Sequence, residues 1–118
     1  MRAMLKSTAA ELLAQIPRPA STEWPAGEFF IEALRHGTMS VEIYAPRGDD
    51  PQFPHEQDEL YFVHAGTANF VLLDETTAVG PGTVLFVPAR CAHHFDSVSA
   101  DFAAWVVFWG PPGGEAKS

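Results

Sequence analysis

The chain has 118 residues, with 15 acidic and 7 basic side chains and a formal net charge of −8. That length fits one domain, and that charge repels phosphate backbones and anionic lipid surfaces, so neither nucleic acid nor a membrane is an expected partner. A hydrophobic share of 47%, with 9 Phe and 3 Trp, supplies a core and leaves apolar area to bury between subunits, so a homodimer is expected.

At the N-terminus, Lys6 and Glu11 interrupt the apolar stretch before it reaches the length of a signal-peptide core, and no transmembrane run follows. Thr8-Ala9-Ala10-Glu11 has the form of a capping box, and Leu12, Leu13 and Ile16 follow at helical spacing until Pro17 stops the pattern. One short helix is expected there. Pro17, Pro19 and Pro25 then mark an extended connector. Residues 1–27 read as a helix and arm, 28–112 as the folded domain and 113–118 as a tail.

From Glu28 the sequence changes to short runs of Val, Phe, Tyr, Trp and Ile punctuated by Gly, Pro and Asp. Strands are expected over Glu28 to Leu34, Met39 to Ala45, Glu59 to His64, Thr67 to Leu73, Thr83 to Val87, Ala92 to Ser97 and Phe102 to Trp109. This is an all-β pattern, a sandwich or a barrel. Gly80-Pro81-Gly82 suits a type II turn, and Gly66 separates two strands. The strand Glu59 to His64 is apolar on both faces, which predicts cover on both sides by a second subunit or the arm. Cys91 stands alone, which excludes an internal disulfide framework and a zinc–cysteine cluster. It suits a reducing compartment, and the expected location is the cytoplasm.

His55 and Glu59 are four residues apart on the way into a strand, a spacing that lets both point to one face. Imidazole and carboxylate together suit a divalent transition metal ion, whether zinc, iron, nickel or manganese, and His93 is the natural third ligand from another strand. Asp58 is then expected to face outward, His94 to oppose His93, and His36 and His64 to be ordinary turn or strand-end residues. Tyr61, two residues beyond Glu59, should face the same cavity and could orient a substrate or donate a proton.

Two blocks resemble the paired motifs of the cupin superfamily, written G-x5-H-x-H-x3-4-E-x6-G and G-x5-P-x-G-x2-H-x3-N. The first falls on Gln52-Phe53-Pro54-His55-Glu56-Gln57-Asp58-Glu59 and closes on Gly66; the second falls on Gly82, Pro88 and His93. Three of the family's four ligand positions remain. Phe53 stands at the first histidine, Arg90 at the glycine after Pro88 and Ser97 at the terminal asparagine. Either three protein ligands hold the metal with water, or the Gln52 amide oxygen replaces the missing imidazole. Residues 28 to 112 are also similar to a group of small bacterial cupins of unassigned activity.

The resemblance implies an all-β cupin jelly-roll β-barrel with a short N-terminal helix, and metal binding, without a substrate. The expected function is a dioxygenase- or isomerase-like enzyme acting on a small organic molecule, and the alternative is a non-catalytic small-molecule-binding or sensory module. Metal ligands are expected at His55, Glu59 and His93, and catalytic roles at Glu59 and Tyr61. Gln52, Phe53, Tyr61, Phe86, Phe95 and Trp105 are expected to bind substrate. Arg90 marks either an exposed turn or a contact for an anionic substrate.

Overall fold

The computed structural model describes residues 5–48 and 54–116. Thr8 takes an extended conformation and its hydroxyl accepts the Glu11 N–H at 3.3 Å, so the capping box starts helix α1, Ala9–Leu13. Ala9 and Leu12 are buried against Ile31, Ile43, Ala45 and Ala103. Beyond Pro17 the arm carries one isolated pairing, between Arg18 and Glu28, closed by main-chain bonds of 2.7 and 3.1 Å.

Eight strands follow: β1 Phe30–His36, β2 Met39–Tyr44, β3 Asp58–Ala65, β4 Ala68–Leu72, β5 Glu75–Val79, β6 Val84–Val87, β7 His93–Asp96 and β8 Ala103–Trp109. Each expected strand is present. β5 is additional, and its first four residues are exposed, so it carries no apolar alternation to announce it. The pairs form a five-stranded sheet, β1-β2-β8-β3-β6, and a three-stranded sheet, β5-β4-β7. Their inner faces share one core, in which Tyr61, Val63, Ala104 and Val106 of the larger sheet meet Phe70 and Phe95 of the smaller.

Turn chemistry fixes the register. The Thr83 N–H reaches the Gly80 carbonyl at 3.0 Å and Gly82 has φ +89°, as a type II turn requires. Gly66, between β3 and β4, has φ +74°, and a Cβ there would sit 2.6 Å from the Phe102 backbone, so only glycine fits.

Alternation then decides which side chains can approach a site. Along β8, Ala104, Val106 and Phe108 join the inter-sheet core, whereas Ala103 and Trp105 join the cluster under α1. Along β3, Glu59, Tyr61 and Val63 are buried, whereas Phe62 is 39% exposed. The expectation of cover on both faces of β3 therefore fails within this chain, because α1 packs over β1 and β2 instead. Asp58 is likewise not solvent-facing. It is 8% exposed because the C-terminal segment folds over it, with Oδ1 accepting from Ala89 N–H at 2.9 Å and Oδ2 from Glu115 N–H at 3.0 Å.

Candidate metal centre

β3 carries Glu59 and Tyr61 on its inner face, β7 begins at His93, and His55 lies just ahead of β3. Ligand atoms of His55, Glu59 and His93 all fall within 4.8 Å of one another. Two main-chain links hold these segments together. Glu59 pairs with Val87 in the β3–β6 ladder, and the His55 carbonyl accepts the Arg90 N–H at 2.7 Å, across the turn that leads to β7.

His93 alternates with His94 as expected: the His93 side chain is fully buried and that of His94 is about half exposed. Its Nδ1 lies 2.9 Å from the Cys91 carbonyl oxygen, which can only accept, so Nδ1 carries the hydrogen of the neutral ring. Nε2 is then a lone-pair atom. It stands 2.7 Å from Glu59 Oε1, and His55 Nδ1 stands 3.4 Å from the same oxygen.

A proton or a metal ion between Nε2 and Oε1 would reconcile a lone pair with a carboxylate at that distance, and the Tyr61 hydroxyl also reaches Nε2. Both Glu59 oxygens and His55 Nδ1 are buried without a hydrogen-bond partner of acceptable geometry. Two donor atoms bound at about 2.1 Å and at right angles on one ion are about 3 Å apart, close to the spacings here. The donor set, neutral imidazoles and a carboxylate, fits a divalent transition metal. Burial alone would raise the Glu59 carboxyl, but the hydrogen-bonding approach of His55 and His93, and the charge these rings carry when protonated, outweigh it and hold the group below its ordinary value.

Tyr61 lies where expected, with its hydroxyl 3.1 Å from His93 Nε2. With His55, it lines a cavity of 340 Å3. Phe108 stands edge-on to the His55 ring, with centroids 4.9 Å apart. The remaining expected substrate contacts divide. Phe95 packs behind Tyr61 and Phe70 in the core, with ring centroids 5.0 and 5.1 Å away. Phe86 is half exposed, and Trp105 packs under α1. Strand alternation sends both away from the cavity, since Phe86 pairs with Leu60 and Trp105 with Phe62, out of phase with Glu59 and Tyr61. Gln52 and Phe53 lie outside the described residues.

Sequence reasoning passed over one group. Glu42 of β2 lines the same cavity, paired with inward-facing Val106 of β8. Burial pushes its carboxyl up to about 7; nearby Glu59 and Glu32 raise it further and His55 draws it down. Two of the three motif departures fall on left-handed backbone. Arg90 has φ +65° and Ser97 φ +52°, and glycine and asparagine are the residues that enter that left-handed region most readily. The Arg90 guanidinium pairs with Glu56 at 3.0 Å on an exposed turn.

A jelly-roll of this topology with histidines and a carboxylate at its centre defines a cupin, and the comparisons agree. The chain belongs to the cupin family, whose domain model matches residues 40–109. An uncharacterised protein of Streptomyces coelicolor is 45% identical over 85 residues, spanning 70% of this chain and 80% of that protein. Among solved structures, TT1209 from Thermus thermophilus superposes with a TM-score of 0.70 at 21% identity, over 92% of this chain and all of that one. A cupin superfamily protein from Desulfitobacterium hafniense gives 0.60 at 16%, over 70% of this chain and 76% of its own. The DMSP lyase DddQ from Ruegeria pomeroyi gives 0.61 at 23%, over 81% of this chain and 53% of its own. At these identities the structures share the fold. No described helix is long and apolar enough to cross a membrane.

Proposed function

We propose that His55, Glu59 and His93 hold one divalent transition metal ion, and that the chain is a metal-dependent enzyme, oxygenase- or isomerase-like, acting on a small organic molecule in the adjoining cavity. The observation that carries this reading is the convergence of three buried, unpartnered polar atoms, His55 Nδ1 and both oxygens of Glu59, on the Nε2 lone pair of His93. Leaving such groups without an ion costs about 1–3 kcal/mol each, and more for the charged one.

When bound, the ion supplies Lewis acidity and open positions for oxygen atoms of the substrate. The Cys91 carbonyl fixes the His93 tautomer and ring orientation, as the outer hydrogen bond of a ligating histidine does. Tyr61 faces the same cavity and is placed to hand a proton to, or hold, a polar group of the substrate. Phe108 and Val106 form an apolar wall of the cavity beside His55. The occurrence of this fold in a lyase supports a catalytic over a purely binding role.

Metal analysis of purified protein tests the reading. About one equivalent is expected in the wild type, with nearly none in His93→Ala or His55→Ala. Unchanged metal content in folded variants would remove the assignment. Oxygen consumption and product formation against diketones, phenolics and sugars then test turnover. Metal binding with no turnover on any of these would leave a ligand-binding module.

A further inference from the structure

Beside His55, the wall of the cavity has a composition of its own. Glu42 reaches it from β2 and Glu23 from the arm, and three rings, Trp24, Phe30 and Tyr44, lie beside them. Trp24 and Phe30 meet edge to face with centroids 5.4 Å apart. The arm is closed on itself by the Arg18–Glu28 pairing and by a tight turn. In that turn Ser21 N–H donates to the Trp24 carbonyl at 3.0 Å, and the Ser21 hydroxyl accepts the Trp24 N–H at 3.0 Å.

No Lys or Arg is among the described residues lining this cavity. A neighbouring cavity of 380 Å3 shares Glu23, Trp24, Phe30 and Tyr44, and Arg47 lines it. The Arg47 guanidinium is engaged by the Ala45 carbonyl at 2.7 Å.

We propose that this wall is a subsite for an organic cation, a substituted or quaternary ammonium group, held by Glu42 and Glu23 and faced by Trp24, Phe30 and Tyr44. Aromatic faces attract a cation whose charge is spread over alkyl groups, and carboxylates set among them add charge complementarity without requiring a hydrogen-bond donor on the ligand. An anionic group would meet two carboxylates in this wall, with no Lys or Arg among its described lining residues. Glu42 is a costly charge in this wall, and a cation set against it relieves that cost. The subsite rests on the proposed function in one respect, that the rest of the ligand extends toward His55 and Tyr61.

Calorimetric titration of metal-loaded protein at pH 8 tests this, using choline and 3,3-dimethylbutan-1-ol, which has the same shape without the charge. Choline is expected to bind about tenfold tighter than the alcohol. Glu42→Gln should lower choline affinity by about fivefold, and Glu23→Gln, on the exposed arm, by about twofold, with little change for the alcohol. Equal affinities, no binding of either probe, or an unchanged choline affinity in Glu42→Gln would overturn the proposal. Loss of metal from Glu42→Gln would also overturn it, by making Glu42 a ligand. Repeating the titrations on chelated wild type separates the two readings, since a choline preference that persists there stands whether or not His93→Ala loses metal.

Discussion

Glu42→Gln isolates the energetic consequence of a carboxyl placed in the cavity wall. The Glu42 pKa is raised from 4.5 to about 7, chiefly by burial. At about 1.4 kcal/mol per pKa unit this corresponds to roughly 3 kcal/mol, an upper figure because the side chain keeps some contact with solvent. The folded state holds the proton more tightly than the unfolded chain. The contribution to stability is therefore complete below pH 4.5 and is lost as pH rises through about 7. Urea unfolding of chelated wild type and variant, followed by tryptophan fluorescence from pH 4.5 to 8.5, gives a difference curve that reports Glu42 together with its coupling to His55 and Glu59. The two proteins should match near pH 4.5, and the variant should be more stable by about 1–3 kcal/mol at pH 8. Adding metal should shrink the difference, since a cation near Glu59 and His55 favours ionised Glu42. A flat difference curve, or a variant less stable at pH 8, would refute the placement of this carboxyl in a desolvated wall.

Other outcomes follow from the packing. Phe95→Ala removes a ring that is 1% exposed and packed on Tyr61, Phe70 and Phe102, and should cost about 3–5 kcal/mol by denaturant titration, with Phe95→Leu costing much less. Asp58→Ala strips the acceptors from the Ala89 and Glu115 amides and should cost about 2–3 kcal/mol. It should also raise hydrogen exchange in the C-terminal segment, and unchanged protection there would contradict the contact. Arg90→Gly relieves a left-handed backbone at the loss of an exposed ion pair, so thermal unfolding should show a gain of about 1 kcal/mol with metal content unchanged.

Much of the fold was legible because strand alternation and turn residues agreed. The helix stood on Thr8 and Glu11, and the candidate centre on intervals that survive any detail of packing. What escaped was whatever depends on which face a strand turns inward. Glu42 sits between Val41 and Ile43, so Met39–Tyr44 reads as an ordinary half-buried strand with one solvated charge. Only its pairing with Val106 shows that Glu42 is on the cavity side and Ile43 under the helix. The same ambiguity made Phe86 and Trp105 plausible cavity residues. Asp58 escaped for a different reason: its cover comes from Glu115, far along the chain, and no periodicity encodes that contact.

The arm that carries Glu23 and Trp24 lies outside residues 40–109; the Arg18–Glu28 pairing closes it on itself, and Trp24 packs edge to face on Phe30 at the start of β1. Its tip thus meets the sheet at the end of β1, outside the β3, β6 and β7 segments that bring His55, Glu59 and His93 together. Insertions or exchanges between those anchor points can reshape the mouth of the barrel without disturbing strand register. A relative with the same three donor residues can thus admit a differently charged guest by rewriting a few residues of one loop. Grafting a foreign sequence between Arg18 and Glu28 is a direct route to altered ligand choice on an unchanged centre.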